Sequence, residues 1–235
     1  MVNKSSNSIV NALAISAVLA LVSAGQASAA SVVEWSPGDI GQAQTISFDG
    51  ISDAYFNHTT PIPGLGAQLT LKLDSIVNHD WTFAYDLTNT STSPITSSRV
   101  TVFGFDAMES YAGVTSTGLF SDPGSGSTLI LGNHNLCFTT LAFSQCLGNY
   151  FGGVAMGGSA SGFFTLKYAA EQIGLQFSHM FVAYQGINAP KYCLCHQNGV
   201  GVGAVPEPST WAMMITGIGG IGAAMRRRRR IAEAA

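Results

Sequence analysis

Four cysteines are the residues of this chain whose spacing could most directly support chemistry. Cys137 and Cys146 enclose eight residues, a comfortable length for a hairpin closed by a disulfide. Cys193 and Cys195 have one residue between them, and closing so small a ring generally strains disulfide geometry. Four cysteines permit three pairings. We predict a Cys137–Cys146 disulfide, with other pairings and a bridge to a neighbouring molecule left open.

The alternative for the second pair is a metal site built from Cys193, Cys195, His196 and either His134 or another cysteine. Zinc accepts such ligands, but structural sites usually space paired cysteines by two to four residues. Export would also favour oxidation over thiolate ligation. No helical i, i+4 spacing and no H-E-x-x-H motif is found among His58, His79, His134 and His179. We therefore predict no metal and no cofactor.

The sequence contains no arrangement typical of an enzyme. Gly158-Ser159-Ala160-Ser161-Gly162 has alanine where a nucleophile elbow has serine, and Asp49 to Asp53 lacks the ligand spacing of an EF-hand loop. Asp74, Asp80 and Asp86 could act as the acid and base of glycoside hydrolysis, but nothing in the sequence places them together. We predict that the protein has no catalytic residues and is not an enzyme, the alternative being a secreted hydrolase.

The segment between Ala30 and Tyr192 alternates apolar and polar residues with a period of two, which indicates β-strands. The predicted strands are Thr45–Phe48, Gln68–Asp74, Trp81–Thr88, Arg99–Phe105, Thr128–Leu131, Phe163–Tyr168 and Met180–Ile187. Predicted turns are Asp49-Gly50, Asn89–Pro94, Asp122-Pro123-Gly124 and Gly157-Gly158. Ala169–Ile173 could form one short helix. The fold class is therefore all-β, with an antiparallel β-sandwich or jelly-roll-like body.

The body of the chain is acidic and its surface must be polar but weakly charged. Residues 30–204 hold four basic residues against eleven Asp and Glu, and hence carry a net charge of −7. Nucleic-acid-binding proteins need clustered positive charge, so this balance argues against a nucleic-acid partner. Only 10% of the whole chain is charged, which leaves Ser, Thr, Asn, Gln and Gly to build most of the surface.

Residues 1–29 are predicted to be a secretory signal peptide. Lys4 supplies the positive charge, and Ile9–Val22 is the apolar segment. In Ala27-Ser28-Ala29, the two alanines provide the small side chains that signal peptidase requires before its cleavage site. Cleavage is expected after Ala29, with Ala30 the alternative. The predicted partners are the Sec translocon and signal peptidase, and export would deliver the chain to an oxidising compartment.

The predicted β-sandwich ectodomain covers residues 30–198, and residues 199–204 are predicted to be a linker because they show no amphipathic period. Directly after them, Pro206 and Pro208 would hold Glu207 extended and free of regular hydrogen bonds. A processing enzyme requires an extended segment of this kind.

An apolar segment and a basic cluster end the chain. Trp211–Met225 would be about 22 Å long as a helix, against a hydrocarbon core of ~30 Å. We predict that it spans the inner membrane, with Trp211 at the outer interface. The basic cluster would hold the tail in the cytoplasm and consists of Arg226, Arg227, Arg228, Arg229 and Arg230.

Residues 205–230 resemble the PEP-CTERM sorting signal of Gram-negative bacteria in the order of Pro206-Glu207-Pro208, apolar span and arginine cluster. Trp211-Ala212 resembles the PEPxxWA variant of that signal. The resemblance implies recognition by an exosortase, a membrane-embedded cysteine peptidase that removes the anchor, and an association with exopolysaccharide and biofilm. The expected location is transient anchoring in the inner membrane and then the cell surface or extracellular matrix.

A second resemblance covers roughly Thr82–Tyr184. Its elements are Phe83–Asn89, Pro94–Val100, Val102–Asp106, Cys137, Cys146, the glycine-rich stretch that follows and Gly162–Leu166. Together they are similar to the cistern family of PEP-CTERM proteins, and this resemblance implies no known activity. The Cys193-Leu194-Cys195-His196 segment departs from the pattern.

These observations favour a non-enzymatic envelope or matrix protein that associates with exopolysaccharide. The alternative is a carbohydrate-binding module that stacks sugar rings on exposed loop aromatics. The aromatics whose glycine- and serine-rich surroundings predict exposure are Tyr111, Phe120, Tyr150 and Phe151.

Overall fold

The computed structural model describes residues 32–52, 61–128, 131–140, 146–148, 152–190 and 194–204. Within these ranges the chain forms strands and no α-helix. The strands are β1 (Val33–Trp35), β2 (Ala43–Ser52), β3 (Gly66–Val77), β4 (Asp80–Thr88), β5 (Ser97–Ala107), β6 (Gly113–Ser116), β7 (Asp122–Thr128), β8 (Gly132–Thr139), β9 (Val154–Ala155), β10 (Ser159–Lys167), β11 (Leu175–Ala189) and β12 (Leu194–Ala204). A 3-10 turn, Pro37–Asp39, lies between β1 and β2.

All strands belong to one antiparallel sheet. Their order is β6-β10-β4-β3-β2-β12-β11-β5-β8-β7, with β1 paired to β11 and β9 paired to β5. β6 and β7 stand at opposite ends of this order but are joined by residues 117–121 only. The sheet is therefore nearly closed on itself, and the prediction of an all-β antiparallel fold is confirmed.

The core lies between the two halves of the sheet. Phe83 of β4 stacks on Phe164 of β10 at a centroid distance of 5.1 Å and meets Phe177 of β11 edge-on at 5.3 Å. Phe164 also packs against Phe138 of β8 at 4.7 Å. Alternate residues of each strand supply these rings, because successive side chains in a strand point to opposite faces. In β4 every second residue from Trp81 is buried and the residues between are not.

Most predicted strands lie inside observed ones, namely β2, β3, β4, β5, β10 and β11. The helix predicted at Ala169–Ile173 is wrong, since these residues form bends between β10 and β11. Ile173 is 95% exposed there. With that side chain in solvent, the segment has no apolar stripe to hold a helix against the sheet.

Two predicted turns and one predicted strand are wrong. Asp49-Gly50 continues β2, where Leu65 packs over Gly50 in the space that a Cβ atom would fill. Asp122-Pro123-Gly124 lies in β7, which is the last strand of the sheet order, and an edge strand tolerates proline. Thr128 ends β7 and Leu131 lies in a turn before β8, so the predicted strand Thr128–Leu131 does not extend to Leu131.

The predicted linker, residues 199–204, is also wrong, because these residues form the second half of β12. β12 pairs with β2 on one side and β11 on the other. Gly199, Gly201 and Gly203 face large side chains of these neighbours: a Cβ atom on Gly203 would lie 2.7 Å from Ile46 Cγ2 and 2.9 Å from Met180 Cβ. The glycines are thus needed for close packing of strands and do not indicate a flexible segment.

Candidate functional site

The Cys137–Cys146 disulfide fastens a segment of chain to the outside of the sheet. The two Cα atoms are 5.7 Å apart, and both cysteines are fully buried. They form a small apolar cluster with Val102 of β5 and Phe181 of β11, on the faces of these strands that point away from the main core. The predicted pairing is confirmed.

Replacing both cysteines by alanine is expected to lower the free energy of unfolding by about 2–3 kcal/mol, because the cross-link restricts the unfolded chain. Denaturant unfolding of the secreted protein measures this loss. Wild-type protein treated with reductant is the matched control and should show the same decrease, while reductant should not affect the double variant. Equal stability of wild type and double variant would contradict the expectation.

A polar cluster lies beside this covered face. The carboxylate of Asp106, near the end of β5, contacts two histidine rings. His134 Nδ1 lies 3.4 Å from its Oδ1, and His179 Nδ1 lies 3.0 Å from its Oδ2. His134 is buried and its ring stacks on Phe181 at 4.2 Å. His179 is largely exposed and sits at a register shift in β11 with φ of 48°.

The cluster does not form a catalytic triad. Ser178 Oγ lies 3.3 Å from His179 Nδ1, which is the same nitrogen that faces Asp106. In a serine–histidine–aspartate triad the hydroxyl and the carboxylate contact opposite ring nitrogens. Among the described residues, no group of three or more His, Cys, Asp or Glu is arranged to hold a metal ion.

Burial lowers the pKa of His134 below its usual 6.5, and the nearby Asp106 carboxylate opposes this shift. The neutral ring is thus favoured in the folded protein, and the unfolded chain binds the extra proton first as pH falls. We expect the contribution of His134 to stability to be complete above pH 6.5 and to be lost as pH falls through the lowered pKa.

Exchanging His134 for phenylalanine should flatten the stability curve below pH 6.5, since an apolar ring can still stack on Phe181 but does not titrate. Urea unfolding at a series of pH values measures the slope. The matched control is His79→Asn, because His79 is exposed in the turn between β3 and β4 at a φ of 68° that asparagine accepts. An unchanged slope in the His134 variant would show that other groups produce it.

The other predicted ligands and acid–base residues are not brought together in the described structure. His58 and Cys193 lie outside the described residues, and the side chains of Cys195 and His196 do as well. Asp74 and Asp86 are exposed on the outer face of β3 and β4, and Asp80 begins β4. The acid and base of an enzyme usually lie in a cleft, where burial and a charged neighbour shift their pKa values. Asp74 and Asp86 lie in solvent instead.

The predicted exposure of the loop aromatics is wrong for Phe120, which is fully buried against Tyr85 and Phe103. Tyr111 is half-buried, and its hydroxyl donates to the Asn135 carbonyl at 2.7 Å. Tyr150 and Phe151 lie outside the described residues. Glycine-rich surroundings therefore indicated close packing at position 120 and not access to solvent.

Among the described residues, the exposed aromatic ring is that of Phe163 in β10, at 47%. It lies on the outer face of β10, β4, β3 and β2, which we call the hydroxyl face. Its hydroxyl-bearing residues include Thr45, Ser47, Thr70, Ser75, Thr82, Thr88, Ser159, Ser161 and Thr165. Two cross-strand pairs of these hydroxyls are hydrogen-bonded, Thr45–Thr70 at 2.9 Å and Thr82–Thr165 at 3.0 Å. The strand alternation that predicted the core also produces this face, but the sequence alone did not single it out.

The fold is an all-β body with a disulfide between Cys137 and Cys146. The class of protein is indicated by a motif in the C-terminal residues. The model of the PEP-CTERM protein-sorting motif matches residues 204–230, so this chain carries the sorting signal of a PEP-CTERM protein. The signal marks it as an exported protein that is anchored in a membrane before an exosortase processes it. No curated protein and no solved structure matches the chain. The similarity of the body to the cistern family stays a prediction.

The match includes the predicted recognition residues Pro206, Glu207, Pro208, Trp211 and Ala212 and the whole arginine cluster. It begins at Ala204, the last residue of β12, so the motif follows the folded sheet directly. These residues and the signal peptide with its cleavage residues lie outside the described structure. In the described part of the chain no helix is long and apolar enough to cross a bilayer.

Proposed function

We propose that this protein is a non-enzymatic component of the cell envelope or extracellular matrix that associates with exopolysaccharide after release. The observation that carries the proposal is the sorting motif at residues 204–230, joined without a spacer to a folded β-body. Signal peptidase and the Sec translocon would act at the other end of the chain, near Ala30.

The surface of the body limits how it could bind a polymer. Its net charge of −7 disfavours attraction to anionic polysaccharides. Association would therefore depend on hydrogen bonds from hydroxyl groups, on aromatic stacking or on bridging cations.

The test is recovery of the processed protein from the matrix of its host. We expect mass spectrometry of matrix-bound material to find a chain that starts near Ala30 and lacks Trp211–Ala235. An intact Arg226–Arg230 tail outside the cell, or processed protein found free in the medium and never in the matrix, would contradict the proposal. Hydrolysis of the isolated polysaccharide, abolished by exchange of one aspartate such as Asp86, would show that the protein is an enzyme.

A further inference from the structure

We propose that the hydroxyl face is a binding surface for an uncharged polysaccharide, with Phe163 as its stacking platform. This inference rests on the proposed function and names the surface and the ligand class through which it would operate.

The two outer faces of the sheet differ in what covers them. On the outer face of β5 and β11, Cys146 packs against Val102 and Phe181, and the Leu147 carbonyl accepts a hydrogen bond from Gln185 Nε2 at 2.9 Å. On the hydroxyl face, by contrast, Phe163, Ser161 and Asp86 are all exposed. The Phe163 side chain is 47% exposed although it lies in a regular strand, so nearly half of its ring is in contact with solvent and available to a ligand.

The row of residues across the sheet at Phe163 alternates tall and short side chains. The register places Phe163 beside Ala84, Ala84 beside Lys72 and Lys72 beside Ala43. Adjacent strands are about 4.8 Å apart, so Phe163 and Lys72 stand roughly 10 Å from each other with only a methyl group between. A sugar ring fits over Ala84, with its C–H face against the phenylalanine ring and a hydroxyl within reach of the lysine amine.

The next rows supply hydrogen-bonding groups for the same polymer. The first is Ser161, Asp86, Thr70 and Thr45, and the second is Ser159, Thr88, Gln68 and Ser47. A hydroxyl both donates and accepts, so it can pair with either role of a sugar hydroxyl. Along each strand the same-face positions repeat about every 6.7 Å, which gives a regular array.

The charge and polarity of the hydroxyl face select among partners. Its strands carry Lys72 and Lys167 against Asp49, Asp74, Asp80 and Asp86, a net charge of −2. This balance gives no attraction for a polyanion. A single exposed ring among hydroxyls is also too little apolar area for a stable protein interface or a lipid surface. An uncharged and hydroxyl-rich polymer is the partner that matches.

The experiment is affinity electrophoresis of the processed protein, purified from its host, in gels that contain a polysaccharide. The probes are hydroxyethylcellulose, dextran and the neutral fraction of the host's own exopolysaccharide, with alginate as the anionic comparison. We expect at least one neutral probe to retard the protein, and added salt to leave the retardation unchanged. Phe163→Ala should weaken the binding roughly tenfold, and Ala84→Gln should weaken it by filling the space between Phe163 and Lys72.

Two variants serve as controls. Phe163→Tyr keeps the aromatic ring and should recover most of the retardation that Phe163→Ala loses, while Ile173→Ala removes an exposed apolar side chain from the β10–β11 connection and should have no effect. Thermal unfolding of all variants separates loss of binding from loss of fold.

Three results would overturn the inference: no retardation by any neutral probe, retardation by alginate alone, or equal binding of Phe163→Ala and wild type. If the Phe163→Ala protein remains in the host matrix like the wild type, the hydroxyl face is not the binding surface, while the proposed function stands. If neutral polymers bind through Phe163 but the protein never occurs in the matrix, the surface is supported and the proposed function fails.

Discussion

Replacing Glu207 by glutamine is expected to leave nearly all of the protein anchored in the inner membrane of its host. Glu207 is the acidic residue of the Pro-Glu-Pro element in the matched sorting motif. The substitution keeps the size of the side chain and removes its charge, and we expect the exosortase to need that charge on an extended segment. Fractionation of the cells, followed by mass spectrometry of the C-terminus, measures how much of the chain keeps its arginine cluster.

The matched control is Glu171→Gln, which removes an exposed charge from the connection between β10 and β11. This variant should be released like the wild type. Normal removal of the C-terminal segment from the Glu207 variant would show that the glutamate is not needed for processing. Deleting the host's exosortase should reproduce the anchoring of the Glu207 variant in otherwise wild-type protein.

Replacing Gly201 by alanine is expected to lower the free energy of unfolding by about 1–3 kcal/mol, because the added methyl group would overpack the space beside β12. An added Cβ atom would lie 2.8 Å from Val182 Cγ2 and 2.9 Å from Phe48 Cβ, in the middle of the sheet. One of these neighbours must shift, and both are buried. Thermal unfolding followed by circular dichroism should show a melting temperature lower by roughly 2–4 °C per kcal/mol.

Gly113→Ala is the control for this substitution. Gly113 also lies in a strand, β6, but the atom nearest to its added Cβ is Lys167 Cδ at 4.0 Å. Alanine reduces the conformational entropy of the unfolded chain, so this variant should be as stable as the wild type or slightly more stable. If both variants lose the same stability, the close packing of β12 is not the cause.

The sequence was sufficient to predict the strands whose two faces differ in polarity. In β4, and in β3 from Gln68 to Asp74, the alternation of leucine or aromatic residues with mostly polar ones matches the observed burial residue by residue. The disulfide could also be predicted, because its two cysteines are near in sequence and the chain shows signs of export. These features depend on local spacing, which a sequence displays directly.

The sequence was insufficient where glycine marks a close contact. Gly50 and Gly201 were interpreted as parts of a turn and a linker, but each leaves room for a bulky side chain from a distant part of the chain. Phe120 was expected in solvent for a similar reason, since its neighbours are small. Which side chain fills the space beside a glycine depends on the strand order, and the period of the sequence does not contain that information.

The hydroxyl face and the Asp106 cluster were missed for a different reason. Asp106, His134 and His179 belong to three strands and meet only because β5 lies between β8 and β11. The exposed position of Phe163 could have been inferred from its alternation with Phe164 and Leu166. The adjacent alanine at position 84 became visible only with the register of β4 and β10.

The place of β12 in the sheet order also has a consequence for timing. Ala204 pairs with Ser47, which is 157 positions earlier, and β12 fills the gap between β2 and β11. Contacts so distant in sequence form slowly. In a chain that crosses the membrane N-terminus first, the interior of the sheet therefore stays incomplete until almost the last residue has emerged.

Six residues, 205–210, connect Ala204 to Trp211, the predicted start of the membrane span, so the two Cα atoms are at most about 25 Å apart. Before β12 pairs, β2 and β11 each have an unpaired edge, and such edges are prone to pair with other chains. A chain whose anchor is removed before β12 has paired would therefore be released with these edges open, whereas a chain processed after pairing would be released with the sheet complete.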